Sequence, residues 1–541
     1  MTDRRSDLDA LRGAAMILGI VLHTCASFFG FPWSVHEQQS NTILALLCVW
    51  IHGFRMPLFF MLSGFFTQLV YEQRGLKKLM QQRFERIAIP LVLASLCILP
   101  LNNFVLQRAT ASRHREPVIE AIVRGDIDFL KSWLLSGGDP NHEDGIFFRR
   151  LVSWASLSDN AAALRLLREN QADINAQDST GNTPLHLAIY FGSADAFEFL
   201  ITHGADPSIL SKSRHYPLEG ISASAFLASD ISELIGLTEK RSVNEVQRGR
   251  AHIRDFLTQH PEASPQNLTT GPQNIIDTVV SLYWSARSSD RFVVHIGNTP
   301  FHLLDSELFD HLWFLNFLLW ILLVYAALIA TKWKPAPKHL GYAAICTLAG
   351  QFFMGTFGAG FGPDTELGLL PGPHLLMYYA GFFFLGVIMK GSEPIQKWIE
   401  KHWRWILLVS LFILFPAALA TLYHRLIALI LQPLFACGMS LGTIGLFHHY
   451  VKTPSKKLRW LADSSYWLYL AHVPIVMMAQ LLVTTWSISS WAKFLFVLGI
   501  SHFILLVSYQ WLIRYSWVGR LLHGPKQAST QASTISTVKP S

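Results

Sequence analysis

Leu8-Asp9-Ala10-Leu11-Arg12-Gly13-Ala14-Ala15-Met16-Ile17-Leu18-Gly19-Ile20-Val21-Leu22-His23 reads as a membrane helix with an arginine near its start and a histidine well inside it. At about 3.6 residues per turn, the separation of Arg12 and His23 returns to within about 20° of the starting direction. The two side chains therefore share one face, about 16 Å apart along the axis. An ionisable group facing a bundle interior in lipid costs several kcal/mol unless something repays it, which marks it as a candidate for function. Hydrogen bonding to a neighbouring helix is the structural use open to His23.

The rest of the chain has the composition of a membrane protein. It has 541 residues, of which 51% are hydrophobic and 15% charged, whereas soluble proteins carry about 25% charged residues. The net charge is +7. The basic residues cluster beside apolar runs, which speaks against a nucleic-acid partner. Cys25, Cys48, Cys97, Cys346 and Cys437 all fall within apolar segments, without metal-ligand spacing or the pattern of a disulfide framework. Arg4 and Arg5 precede an apolar run as in a signal peptide. Asp9 and Arg12 interrupt that run and no small-residue cleavage site follows, which predicts a retained helix.

Ten apolar segments approach the length of about 20 residues that a bilayer requires. They lie at 8–29, 43–70, 87–106, 308–331, 339–357, 374–390, 404–422, 426–449, 464–486 and 491–513. With the N-terminus placed in the cytoplasm, the inner connections hold Arg74, Lys77, Lys78, Arg83 and Arg86, then Lys332, Lys334 and Lys338. Lys390, Lys397, Lys401 and Arg404 follow, then Lys452, Lys456, Lys457 and Arg459, and finally Arg514, Arg520 and Lys526. The outer connections at 30–42 and 358–373 contain no Lys or Arg, and the two later ones hold little beyond Arg425 and Lys493. This positive-inside pattern predicts an even helix count with both termini cytoplasmic.

Residues 107–307 interrupt the membrane pattern. Gly138-Asp139-Pro140-Asn141, Ala172-Asp173-Ile174-Asn175 and Ala205-Asp206-Pro207-Ser208 recur at spacings of 34 and 33 residues. Between the last two lies Thr183-Pro184-Leu185-His186-Leu187-Ala188, and Tyr216-Pro217-Leu218 repeats its Pro-Leu step. The segment resembles ankyrin repeats, whose turn signature is Thr-Pro-Leu-His-x-Ala. It predicts three to four repeats over 116–237, with His186 serving the repeat's own turn. By the orientation argument the repeats face outside the cytoplasm, and the absence of cysteine suits an oxidising compartment.

Several polar constellations accompany the first helix. Phe54-Arg55-Met56-Pro57 through Ser63-Gly64-Phe65-Phe66 places an arginine and a proline inside the second span, which predicts a kink lining a cavity. Ser63 and Gly64 also suit close helix packing. Arg83 and Arg86 lie at i, i+3, and planar guanidinium pairs suit phosphate oxyanions, although lipid headgroups are an equally ordinary use. Asp310-His311-Leu312-Trp313-Phe314-Leu315 opens the fourth span. Ser465, Tyr469 and His472 form a polar stripe at i, i+4 and i+7 in the ninth.

These features together resemble the membrane acyltransferase 3 family. They are Arg12 with ten residues before His23, the Phe54–Phe66 stretch, the Arg83/Arg86 pair and Ser-Tyr-x-x-Tyr-x-x-His-x-Pro. The Asp310–Leu315 stretch is similar to the branch containing periplasmic glucan succinyltransferases. The resemblance implies a place in a bacterial inner membrane, and the ankyrin insertion departs from that branch. The resemblance implies an all-α, ten-helix membrane domain that passes an acyl group, acetyl or succinyl, from cytoplasmic acyl-CoA to a hydroxyl of an extracytoplasmic glycan.

In that reading His23 is the catalytic base, because a neutral imidazole suits removal of a hydroxyl proton at pH 7. An acyl-histidine route is also open. Arg12, Arg83 and Arg86 would hold the CoA phosphates, and Asp9 would orient Arg12. Tyr469 and His472 would orient His23 or polarise the carbonyl, and Arg55, Ser63 and His311 would be supporting or acceptor-side residues. Acyl-CoA is donor substrate, with no bound cofactor and no metal expected. The predicted plan is a membrane domain over 1–106 and 308–515, an ankyrin insertion over 107–240 that offers a protein-partner surface, a linker over 241–307 and a disordered tail over 516–541. A transporter or flippase without covalent chemistry, and a membrane-anchored ankyrin interaction protein, are the alternatives.

Overall fold

The structure is a computed structural model. It describes residues 5–28, 33, 35, 37, 41–111, 116–144, 149–178, 180–211, 217–222, 241–261, 279, 282, 292–296, 299–303, 308–354, 361–422, 424–453 and 455–523. Among the described residues it is an all-α assembly apart from one antiparallel hairpin, β1 (Val293–Ile296) and β2 (Thr299–His302).

Among the described residues eight helical stretches are long and apolar enough to cross a membrane. The first is α1 (Ser6–Cys25) with a short 3-10 turn after it. The second, Thr42–Leu106, has 65 residues, about three times what one crossing needs. It comprises α2 (Thr42–Arg83), a π turn at Phe84–Ala88, and α3 (Ile89–Ala111). Asn41 caps α2, its side-chain oxygen accepting from the N–H groups of Ile43 and Leu44. The backbone break inside α2 is at Gly75 (φ 73°, ψ 171°), a conformation open to glycine because it has no Cβ. Pro57 sits within α2, and the one residue of that helix with non-helical dihedrals is Gly75.

Beyond the insertion come α11 (Trp313–Ala330), α12 (Leu340–Phe353), α13 (Pro373–Lys390), α14 (Glu393–Val409) and α15 (Phe415–Ala420) joined by a second π turn, then α16 (Arg425–Tyr450), α17 (Lys456–Val483) and α18 (Ser490–Ser508). The 14-residue α12 falls short of a full crossing. The last residues of the span expected there, 355–357, lie outside the described residues. Helices α14 and α17 begin several residues before their apolar cores, because charged residues such as Lys397, Lys401, Lys456 and Lys457 extend the helix into polar surroundings. The expected tail instead opens with α19 (Trp517–His523), and residues 524–541 lie outside the described residues.

Small residues let these helices approach closely, as membrane packing favours. A Cβ on Gly64 would collide with the carbonyl of Phe383, and one on Gly386 with the carbonyl of Met61, so α2 and α13 touch backbone to backbone. The bundle core beside them is aromatic, with Phe60 stacked on Tyr379 at 4.6 Å and edge-on to Phe314 at 4.8 Å.

The insertion forms three antiparallel helix pairs. They are α4 (Pro117–Arg124) with α5 (Ile127–Leu135), α6 (Leu151–Leu157) with α7 (Ala161–Glu169), and α8 (Pro184–Phe191) with α9 (Ala194–Thr202). Thr183 caps α8, and His186 Nδ1 accepts from the Thr183 N–H at 3.1 Å, so His186 serves its own turn. Successive turns are stitched together: Asn141 accepts from the Asp173 N–H, and Asn175 from the Asp206 N–H, each at 2.8 Å. Here the structure departs from the expected linker at 241–307. That segment opens with α10 (Val243–Gln259), which buries Val246 and Ile253 in the core of the repeats. Gly249 packs on the backbone of Gly192, and Arg250 donates to the carbonyl of Ile189 at 3.2 Å. Residues 223–240, where the last repeat was expected, lie outside the described residues.

Candidate functional site

Helices α1 and α17 run side by side in the same direction, and this pairing builds the site. Gly13 brings α1 against Leu461 and Ala462. At that end Arg12 donates to the Ala462 carbonyl at 3.0 Å, while Asp9 lies 3.8 Å from the same guanidinium. At the other end Gln480 donates to the His23 carbonyl at 2.9 Å.

Three histidines converge there. His23 lies 5.1 Å from His472 between ring centroids, and His472 lies 5.7 Å from His311. His472 donates from Nδ1 to the Tyr469 carbonyl at 2.8 Å, and His311 donates from Nε2 to the Leu470 carbonyl at 2.9 Å. Tyr469 donates its hydroxyl hydrogen to the His311 carbonyl at 2.8 Å. These bonds fix two tautomers, leaving His472 Nε2 and His311 Nδ1 as acceptors. Among the described residues, neither His472 Nε2 nor His23 Nδ1 has a hydrogen-bond partner, although both atoms are buried.

His311 is set into place by its neighbours. Asp310 has a left-handed backbone (φ 43°) and accepts a hydrogen bond from Asn102, while its carboxylate lies 3.9 Å from His311 Nδ1. Arg55 reaches the cluster from α2. Its guanidinium occupies the space that a Cβ on Gly19 would fill, one turn below His23.

The cationic end is organised by the π turn. Arg83 and Arg86 lie at its entry and within it, so they do not share a regular α-helical face as their spacing suggested. They are nevertheless within electrostatic range of each other and of Arg12. Arg83 donates to Thr67 Oγ1 at 3.0 Å, and Tyr466 donates to the Arg86 carbonyl at 2.7 Å. A π turn of this kind is common where a helix must re-aim functional side chains.

Two expected contributors stand apart. Ser465 spends its hydroxyl on the Ala462 carbonyl at 2.7 Å. Ser63 is half-buried beside the Gly64–Phe383 contact, and no described hydrogen bond links it to the histidines.

Several residues at the site escaped the sequence reading. Trp33 stacks on His23 at 4.9 Å and 25°, and donates from its indole nitrogen to Gln480 Oε1 at 2.8 Å. Gln480 thus holds Trp33 and the His23 backbone together. Its signal was present, because it continues the Ser465, Tyr469, His472 stripe two turns further along α17. Glu37 and Lys493 form a buried ion pair at 2.6 Å that fastens the same loop to α18. His52, one turn before Arg55, is within electrostatic range of His23.

A family profile described as an acyltransferase domain matches residues 5–112 and 267–512, well over half of the chain. The chain belongs to the membrane acyltransferase 3 family. A second profile, ankyrin repeats in three copies, matches residues 118–210. The acyltransferase 3 match therefore takes in both ends of the α1–α17 pairing and all three histidines.

Proteins named glucans biosynthesis protein C are similar over 99 residues. Identity is 35% for Escherichia coli K12 and 34% for the O1:K1 / APEC and O157:H7 (EC4115 / EHEC) strains. Each alignment covers 18% of this chain and 26% of the relative, so the chain spans about a quarter of the length of the curated relatives it matches.

Proposed function

We propose that this acyltransferase 3 member moves an acyl group from acyl-CoA, bound at the cationic end of α1, to a hydroxyl of a glycan arriving at the histidine end. The observation that carries this reading is the polarity of one helix. Arg12, with Arg83 and Arg86 in electrostatic range, stands at one end, and His23, with His472 and His311, at the other. The offset of about 16 Å along the axis suits a pantetheine arm that reaches from phosphates held by arginines to a thioester beside His23.

The transfer balances without further reactants. The acceptor hydroxyl gives its proton to His23 as its oxygen attacks the thioester carbonyl carbon. The C–O bond forms, the C–S bond breaks, and the departing thiolate takes the proton back from His23 to leave CoA thiol and an ester. His472 Nε2, an acceptor aimed into the cluster, supports the imidazolium that forms. In this reading the positive-inside pattern puts the arginines on the cytoplasmic side, and the ankyrin unit outside, where it recruits the acceptor or a protein partner. The acceptor class is carried over from the glucan-biosynthesis relatives.

The test uses detergent-purified full-length protein, labelled acetyl-CoA or succinyl-CoA, and an oligoglucan acceptor. His23→Ala is expected to lower transfer by at least about 10²-fold while CoA still binds. Arg83→Ala is expected to raise KM for acyl-CoA. Retained transfer in His23→Ala, or an absence of acyl-CoA binding by the intact protein, would sink the proposal and favour a solute transporter.

A further inference from the structure

Among the described residues Arg55 is a cation without an ion-pair partner. Its one described hydrogen-bond contact is to Met56 Sδ at 3.5 Å, and its Nε is buried with no partner among the described residues. Tyr379 and Tyr469 are within electrostatic range, but their hydroxyl hydrogens go to the carbonyls of Asp364 and His311. Lys493 offers the contrast: it too is buried, and Glu37 neutralises it at 2.6 Å. A charge inside a membrane bundle is retained where an opposite charge arrives to meet it.

Its position says when that charge arrives. Gly19 lies seven residues above Arg12 and four below His23 on α1. Seven residues return to within about 20° of the starting direction, and four to within about 40°. Arg12, the Gly19 gap and His23 thus lie along one face, with the Arg55 guanidinium filling the gap. An acyl thioester extending from the arginine end passes Arg55 immediately before it reaches His23.

We infer that Arg55 binds an anionic oxygen of the acyl group during transfer, which makes it a catalytic or donor-selecting residue. This rests on the function proposed above. Two sources supply that chemistry: the oxyanion formed at the thioester carbonyl when the acceptor attacks, and a carboxylate carried at the far end of a dicarboxylic acyl chain. A planar guanidinium meets either one with paired N–H donors.

The experiment compares wild type, Arg55→Gln, Arg55→Lys and Gly19→Ala in full-length purified protein, each with acetyl-CoA and with succinyl-CoA. Gly19→Ala keeps the charge and favours the helix, but its methyl pushes the guanidinium off α1. Arg55→Gln is expected to lower kcat by about 10²-fold, and Gly19→Ala to follow the same donor pattern with a smaller loss. Loss with both donors identifies the oxyanion, whereas loss confined to the succinyl donor identifies the carboxylate.

Wild-type rates with both donors in a normally melting Arg55→Gln protein would overturn the inference. If Arg55→Gln does not fold, Gly19→Ala decides, and wild-type rates there overturn it equally. Rates in Arg55→Lys equal to wild type, with a loss in Arg55→Gln, show that charge at this position is what counts. Failure of the wild type to use any acyl-CoA overturns the function itself, an outcome distinct from an active enzyme indifferent to Arg55.

Discussion

The Gln480 side chain joins the backbone of His23 to the ring stacked upon its imidazole, two parts that the proposed transfer needs kept together. Removing it costs a net hydrogen bond or two, about 0.5–1.5 kcal/mol each. Gln480→Ala is therefore expected to lower kcat by about 3- to 10-fold with KM for acyl-CoA unchanged, because the proposed transfer has the donor phosphates held at the opposite end of α1. A rise in KM with kcat intact would instead place Gln480 in donor binding. The candidate residues His23, Arg12 and His472 were legible because ionisable groups in apolar helices stand out one by one. Their convergence was not, since it depends on α17 lying along α1. Trp33 escaped because a tryptophan in a membrane-edge loop is ordinary until its ring is found stacked on a histidine.

At the scale of elements, spans and repeats could be read because apolar length and a 33–34 residue period are local properties. Breaks and caps were harder. The dihedrals of α2 leave the helical range at Gly75, a conformation open to a residue without a Cβ, while neighbouring helices re-satisfy the backbone near a membrane proline such as Pro57. Helix α10 hid in a polar segment, where a Ser242–Glu245 capping box is its best sequence signal. Ser242 hydrogen bonds hold the Glu245 carboxyl below its usual value. A depressed carboxylate contributes stability above its unfolded value and loses it as pH falls through the folded one. The cap is thus expected to be intact at neutral pH and to weaken only below the ordinary glutamate range. Ser242→Ala should cost about 1 kcal/mol at pH 7, measured as a lower melting temperature of the repeat unit, and less at acid pH. A loss that grew on acidification would contradict this account.

At the scale of the whole molecule, the two largest cores among the described residues share no residue: an aromatic one among the membrane helices, and one whose buried residues run from 118 to 253 with α10 as its lid. Deleting 116–261, with α10 included, is expected to leave acyl transfer to a small soluble glucan within a few-fold of wild type while abolishing capture of any partner that the repeats hold. Loss of transfer in a deletion protein that still binds acyl-CoA would give the insertion a part in the chemistry. Its tolerance has a physical basis in one contact at the neck, where Asn102 on α3 meets Asp310 just before α11. With Val105 packed on the bundle and the Leu303 carbonyl accepting from the Leu370 N–H, the chain between these two anchored positions leaves and returns as an excursion. The bundle has only to bring the two ends of the excursion together, and doubling its length would add about 0.6 kcal/mol in closure entropy. Seen in this way, the neck is a permissive port: the membrane fold senses that the chain leaves and returns there, and is nearly indifferent to how much passes through.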